Sequence, residues 1–421
     1  MSKGEYKLSE KSDTHGLLHT PEGVRDLYNS ECRSKHIVEQ NIHEMLELYH
    51  FQDIETPTFE YFDIFNKERG TIASKEMYKF FDKEGNTLVL RPDFTPSIAR
   101  CTAKYFKEEE LPIRLCYKGN TFINTSRYQG KLKEVTQLGA ELINDKTADA
   151  DAEMIALTIE CLEKAGLKEF QLEIGHADFF NGIIEEAGMS EEESMELKNL
   201  IESKNLFGVE ELIKSKHLNK TLEELIFKIP ELFGDKENLE FAKERVHNER
   251  SLKALERLGS LNEILEIYGL EKYVSFDLGM LSKYNYYTGI IYRGYTYGTG
   301  DVIVTGGRYD NLVGQFGMDA PAIGFAIVID QLMIALNRQK VEQKAEDVST
   351  MIVYDINARK MAIQLGRELR KAGTKVELVR KSSKRKVEEY TEYGKKNNIS
   401  RMLYIEGEDG VTELNLVGDE L

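Results

Sequence analysis

Two strand-like runs separated by a polar loop constrain the fold of this chain more than any other feature. They span residues 113–122 and 133–142, and the loop between them covers 123–131. Two strands joined this way fit an antiparallel hairpin. Around them, residues 19–165 alternate helical and extended patterns. Residues 30–49 place Ile37, Ile42, Met45, Leu46 and Leu48 at helical spacing, the mark of an amphipathic helix. Residues 51–57 read as a short extended stretch. The apolar run 87–90 stops at Arg91-Pro92, where proline biases the preceding residue toward extended backbone. Asp93, Thr95 and Pro96 then supply helix-start chemistry for 93–105.

Further along, residues 148–164 predict a helix and 170–174 a strand. Residues 177–270, rich in Glu, Lys and Leu with few turn clusters, predict a helical insertion. Residues 274–336 return to strands broken by glycines and end on a helix from about Ala326. A charged, polar stretch at 341–349 reads as a linker. Beyond it, strands at 350–354, 375–379 and 401–405 alternate with helices at 358–372 and 386–396, so residues 350–421 predict a small α/β domain. Residues 1–18 read as a polar tail and 19–340 as the main domain.

Composition removes several function classes. No apolar run approaches the roughly 18 residues of a membrane-spanning helix, and the N-terminus lacks the apolar region of a secretory signal. Cys32, Cys101, Cys116 and Cys161 form no CxxC pair, and the eight histidines show no ligand spacing. Neither a disulfide framework nor a metal site is expected, and reduced thiols fit the cytoplasm. No segment of the form GxxxxGK[ST] is present, so no phosphate loop of that type is expected. A net charge of −17 disfavours indiscriminate nucleic-acid binding. The one dense basic run, 380–386 (RKSSKRK), reads first as a solvated face.

Five segments carry a resemblance. They are TPEGVRD (20–26), LRPDFTPSIAR (90–100), QGKLKEVTQLGAE (129–141), YYTG (286–289) and GGRYDNLV (306–313). In this order the chain resembles the histidyl-tRNA synthetase family over about 19–337. It is more closely similar to the non-aminoacylating relatives of that enzyme, the regulatory subunits of ATP phosphoribosyltransferase. The resemblance implies an α+β fold: a class II aminoacyl-tRNA synthetase-like antiparallel sheet flanked by helices, with a helical insertion and a small C-terminal α/β domain.

It also implies a histidine pocket drawn from Asp93, Thr95, Gln137, Glu141, Tyr286, Tyr287 and Tyr309. Carboxylates and neutral acceptors suit the ligand's ammonium, and charge-assisted hydrogen bonds are roughly twice as strong as neutral ones. Tyrosine faces and hydroxyls suit the imidazole. The family usually has Glu-Gly where this chain has Asp93-Phe94, a shorter acceptor arm and a narrower space. Taken alone, Glu141 also fits a solvated edge residue, and Tyr286 and Tyr287 fit one core and one surface position. Gly306-Gly307 permits either a close approach or a bend with positive φ.

The same resemblance places phosphate-handling arginines of the synthetase at positions 123, 282 and 331, which here hold Ile123, Ser282 and Gln331. Adenylation builds charge on a phosphate, and one such donor is typically worth about 10²–10³ in rate. Nearby lysines do not reproduce the bidentate guanidinium geometry. The implied role is therefore non-catalytic and needs no cofactor: histidine binding for feedback control of the first step of histidine biosynthesis. The implied partner is a short-form ATP phosphoribosyltransferase catalytic subunit, with a homodimer of this chain inside a hetero-oligomer. A membrane or tRNA partner is not expected. An active histidyl-tRNA synthetase with rearranged phosphate-binding residues is the alternative, and a stand-alone tRNA- or kinase-linked binding module is a third class.

Overall fold

A computed structural model describes residues 18–65, 72–125, 131–216, 218–234, 236–280, 286–341, 349–407 and 410–416. Most of the expected tail at 1–18 and linker at 341–349 lie outside the described residues, as does Ser282. The chain divides into two units, Met1–Gln343 and Lys344–Leu421.

The first unit opens with helix α1 (Asn29–Leu48), the two-residue strand β1 (Gln52–Asp53) and three short strands, β2 (Phe59–Tyr61), β3 (Lys79–Phe81) and β4 (Thr87–Leu90). Helix α2 (Thr95–Tyr105), strands β5 (Ile113–Phe122) and β6 (Glu134–Ile143), helix α3 (Ala148–Lys164) and strand β7 (Phe170–His176) follow. The expected hairpin is β5–β6, antiparallel from Ile113↔Ile143 to Phe122↔Glu134.

The stretch of high Glu, Lys and Leu content folds as α4 (Ala177–Glu186), α5 (Glu191–Glu202), α6 (Leu206–Lys214), α7 (Lys220–Lys228), a two-residue strand β8 (Phe233–Gly234), α8 (Glu237–Lys243) and α9 (Glu249–Tyr268). Polar side chains start several of these helices: Asn248 accepts from the Ser251 amide at α9, as Thr147 accepts from the Ala150 amide at α3. Each such cap is worth roughly 1 kcal/mol. Strands β9 (Val274–Asp277), β10 (Ile290–Thr296), β11 (Val304–Arg308) and β12 (Ala322–Val328) and helix α10 (Ile329–Arg338) close the unit.

The expected helix start near Ala326 is displaced to Ile329. Residues 322–328 stay extended because this apolar run pairs along both edges, with β11 and with β6. The expected extended stretch 51–57 contributes only the two paired residues of β1.

One nine-stranded sheet organises the unit, in the order β1-β5-β6-β12-β11-β10-β7-β9-β8. It is antiparallel except where β1 meets β5 and β7 meets β9. Alternation along each strand separates two faces. On β6, Leu138, Ala140 and Leu142 join the large core with Val38, Ile42 and Leu46 of α1 and most of α3. The intervening Gln137, Gly139 and Glu141 point to the other face. There α2 supplies Ile98, Ala99 and Ala103 to a smaller core with Phe94, Tyr117, Tyr286 and Tyr309. A separate three-stranded sheet, β2-β4-β3, flanks this region. No helix among the described residues is long and apolar enough to cross a membrane.

The second unit contains β13 (Ser349–Tyr354), α11 (Arg359–Lys371), β14 (Lys375–Arg380), α12 (Val387–Lys396), β15 (Arg401–Ile405) and β16 (Val411–Asn415). Strands β14, β13 and β15 are parallel, and β16 adds an antiparallel edge. Helix α11 packs Ala362 with Ile352 and Ile405, while α12 packs Tyr390 with Met351 and Met402, so each helix covers one face. Much of the basic run is exposed.

Candidate functional site

The pocket floor is a consequence of register. Glu141 pairs with Leu115 on one side and Gly324 on the other, and Gly324 pairs with Gly307. Two residues along lies the row Tyr117, Gly139, Ala326 and Thr305, and two further along Gly119 pairs with Gln137. All these residues share the face opposite the large core. Asp93 and Thr95 approach from the start of α2, and Tyr286, Tyr287 and Tyr309 close the remaining sides.

All seven residues singled out from the sequence (Asp93, Thr95, Gln137, Glu141, Tyr286, Tyr287 and Tyr309) line a single cavity. Tyr117, Ile123, Thr305 and Gly324 line it too. Thr305 and Tyr117 escaped the sequence reading because their orientation follows from cross-strand pairing. The signal that could have found them is the period-2 alternation of β5 and β11 once register is known. Ile123 is on the wall, whereas Gln331 sits on α10 and is not part of the lining.

Glycines make the room. A Cβ on Gly324 would stand 1.6 Å from Glu141 Oε2, so the carboxylate lies flat over that residue. Gly306 and Gly307 are ordinary strand residues of β11, not a bend. A Cβ there would strike the Tyr292 ring at 2.3 Å and the Tyr287 ring at 2.8 Å. Close packing is thus the reason for this glycine pair.

Glu141 is no edge residue; it is 1% exposed. Its Oε2 accepts from the Tyr309 hydroxyl at 2.6 Å and its Oε1 from the Thr95 hydroxyl at 2.9 Å. Burial pushes its pKa up to about 8, against the lowering effect of those two hydrogen bonds, and the nearby Asp93 charge adds to the rise. Asp93 Oδ1 accepts from the backbone N–H of Phe94 at 2.7 Å, and its Oδ2 from the Tyr286 hydroxyl at 3.2 Å. Burial also raises the Asp93 pKa, against the hydrogen bonds from Thr95, Tyr286 and Phe94. Phe94 itself turns away to stack on Tyr117, ring centres 4.3 Å apart.

The lining contains two carboxylates and no Lys, Arg or His among the described residues. Gln137 Oε1 is buried at the cavity without a hydrogen-bond partner. A buried acceptor left unmatched costs about 1–3 kcal/mol, so the cavity is chemically suited to a ligand that donates hydrogen bonds and carries positive charge.

Behind the floor, Arg308 is held by a buried network. Its Nε donates to Asp151 Oδ1 at 2.8 Å and its Nη1 to the Asp145 carbonyl at 2.9 Å. Arg257 of α9 donates to the other Asp151 oxygen at 2.7 Å. This clamp fixes the strand end that presents Tyr309.

Comparison with known proteins agrees with the architecture. Residues 23–332 match the family described as histidyl-tRNA synthetase. The ATP phosphoribosyltransferase regulatory subunit of Acetivibrio thermocellus is 44% identical over 361 residues, covering 86% of both chains. That of Ruminiclostridium cellulolyticum is 39% identical over 395 residues, covering 94% of both. A crystal structure described as an ATP phosphoribosyltransferase regulatory subunit/histidyl-tRNA synthetase from Bacillus halodurans C superposes with a TM-score of 0.83 at 34% identity, over 93% of this chain and 99% of that one. Histidyl-tRNA synthetase from Nostoc sp. PCC 7120 shares the fold, with a TM-score of 0.77 at 19% identity, over 94% of this chain and 97% of that one. The chain belongs to the ATP phosphoribosyltransferase regulatory subunits, on the class II synthetase fold of the histidyl-tRNA synthetase family.

Proposed function

We propose that the cavity binds free histidine and that this chain passes the signal to a short-form ATP phosphoribosyltransferase catalytic subunit in the cytoplasm. The observation that carries the reading is the unpartnered Gln137 Oε1 in the same cavity as the Glu141 and Asp93 carboxylates, with no cation in the lining among the described residues. An α-ammonium supplies the donors and the charge that this set lacks, and Tyr287 and Tyr286 offer ring faces and hydroxyls to the imidazole. Histidine then inhibits the partner by binding the inhibited assembly more tightly than the active one, and the coupling is reciprocal. In this reading the chain dimerises through its synthetase-like unit and joins the catalytic subunit in a larger hetero-oligomer.

No bond is made or broken on this chain in this reading. Ile123 on the cavity wall has an aliphatic side chain that donates no hydrogen bond to a phosphate. Its position, with Ser282 and Gln331, corresponds by family resemblance to the synthetase's arginines.

Isothermal titration with histidine, on the chain alone and with the catalytic subunit, tests the sensor. Binding in either setting is the expected result, and binding in neither removes it. Histidine-dependent pyrophosphate–ATP exchange separates the alternative of an active synthetase: exchange at an ordinary enzymatic turnover overturns the non-catalytic reading.

A further inference from the structure

Outside the cavity, three chemically reactive side chains from three elements converge at one edge of the large sheet. His43 of α1 places Nε2 2.8 Å from Asp53 Oδ1, and Cys116 of β5 places Sγ 3.6 Å from the same oxygen. The three donor atoms all lie within 4.8 Å of one another, and this is the one such group of His, Cys, Asp and Glu among the described residues. A spacing search misses it because the partners stand 10 and 63 residues apart.

We infer that His43 Nε2, Asp53 Oδ1 and Cys116 Sγ are three ligands of a site for a divalent transition cation of the zinc class. Imidazole, carboxylate and thiolate form a donor set of intermediate softness, which selects zinc over magnesium or calcium. Around tetrahedral zinc, with bonds of about 2.0–2.3 Å, neighbouring donors stand roughly 3.3–3.8 Å apart. The sulfur–carboxylate separation already falls there, and the histidine–carboxylate contact needs to open by roughly half an ångström. Asp53 and Cys116 are direct partners in the parallel β1–β5 register, and the Ile54 amide donates to the Cys116 carbonyl at 2.9 Å. Two of the ligands thus sit on paired backbone, which holds a site more firmly than loops do.

A carboxylate also faces the other ring nitrogen of His43. Glu47 Oε2 lies 3.9 Å from His43 Nδ1, one helical turn along α1. A hydrogen-bonded carboxylate there orients a ligating imidazole, and Glu47 needs to close by roughly 1 Å to make that bond. Access is provided as well: the side chain of Asp53 is 70% exposed and that of His43 27%. Cys116 is the buried donor, so a cation would enter from the side of Asp53 and His43, where water would complete its shell. Binding displaces the thiol proton of Cys116 to solvent and ties α1 to the sheet edge, with no change of oxidation state.

The test is titration of the chelator-treated full chain with Co²⁺, read by absorption, and with Zn²⁺, read by equilibrium dialysis and thermal melting. One Co²⁺ per chain is expected, with a thiolate-to-cobalt charge-transfer band, and Zn²⁺ is expected to raise Tm. Cys116→Ser removes the band. His43→Gln, at a partly exposed position, weakens binding at least about ten-fold and abolishes the Tm shift. Cys32→Ser leaves both intact. Failure of stoichiometric binding, a band that survives Cys116→Ser, or unchanged affinity in His43→Gln overturns the site. If Cys116→Ser does not fold, the His43→Gln titration decides alone.

Discussion

The Tyr309 hydroxyl donates to Glu141 Oε2 at 2.6 Å, and both residues are 1% exposed, so the carboxyl group that faces the cavity keeps its partner even without ligand. The pair sets the protonation chemistry. With its pKa pushed up to about 8 from an ordinary 4.5, Glu141 is mostly protonated in the empty site at neutral pH. An arriving ammonium favours the ionised form. Histidine binding at pH 7 is therefore expected to release a proton from the protein, and affinity is expected to rise as pH goes from 6 toward 8. Calorimetry in buffers of different ionisation enthalpy measures that proton. The same experiment on Glu141→Gln isolates this group from the ligand's own titration, and equal proton release in both proteins contradicts the assignment.

Stability without ligand follows the opposite sign. Between about 4.5 and 8 the folded protein holds a proton on Glu141 that the unfolded chain has lost. The contribution of this group to stability therefore falls as pH rises through that window and is level below it. Urea midpoints across the window are expected to decline less for Glu141→Gln than for the parent chain.

Tyr309→Phe removes the hydroxyl while keeping the ring that packs against Tyr286. A hydrogen bond to a charged group contributes about 1.5–3 kcal/mol. Histidine affinity is expected to drop roughly ten- to a hundred-fold, with the fold retained. Titration calorimetry alongside circular dichroism checks both halves of the statement.

Gly324→Ala inserts a methyl group where Glu141 Oε2 now lies, 1.6 Å from the added Cβ, with the Ala140 carbonyl 2.8 Å away. The carboxylate must swing into the cavity, which blocks the ligand. Histidine binding is expected to disappear, and overpacking of this kind costs about 1–3 kcal/mol of stability. A full-affinity Gly324→Ala protein would show that the ligand sits elsewhere.

How much of this was legible in the sequence depended on the range of the interaction involved. Helix α3 emerged with the bounds expected from its apolar spacing, because its signals are local, down to the Thr147 cap. The β5–β6 hairpin was legible for the same reason. Strands β2 and β3 span three residues each and give no period to detect. The start of α10 was misplaced because Ala326 and Ile327 suit a helix by composition and are held extended only by pairing with Thr305, Val304, Gly139 and Leu138. In the cavity, the seven side chains came from segment resemblance. Thr305 and Tyr117, by contrast, are placed by register, which no single segment contains. His43, Asp53 and Cys116 meet only after α1 folds back on the sheet edge.

Asp151 carries the last expectation. It is fully buried, and both its oxygens are taken by guanidinium groups, Arg308 at 2.7 Å and Arg257 at 2.7 Å. Burial raises its pKa, and the two arginines act against that rise. Asp151→Ala leaves Arg308, 4% exposed, with only the more exposed Asp310 carboxylate at 3.2 Å, while Arg257 lies nearer solvent. Breaking a buried pair from one side costs about 3–5 kcal/mol. With Asp310 still beside Arg308, Asp151→Ala is expected to lose about the lower end of that range in urea unfolding, and Arg257→Ala clearly less, because Arg308 keeps the carboxylate paired. Since Arg308 ends β11 and Tyr309 follows it directly, the surviving folded Asp151→Ala protein is also expected to bind histidine more weakly. Equal losses for the two variants would mean that the arginines share the carboxylate evenly and that Arg308 has no special hold on the cavity.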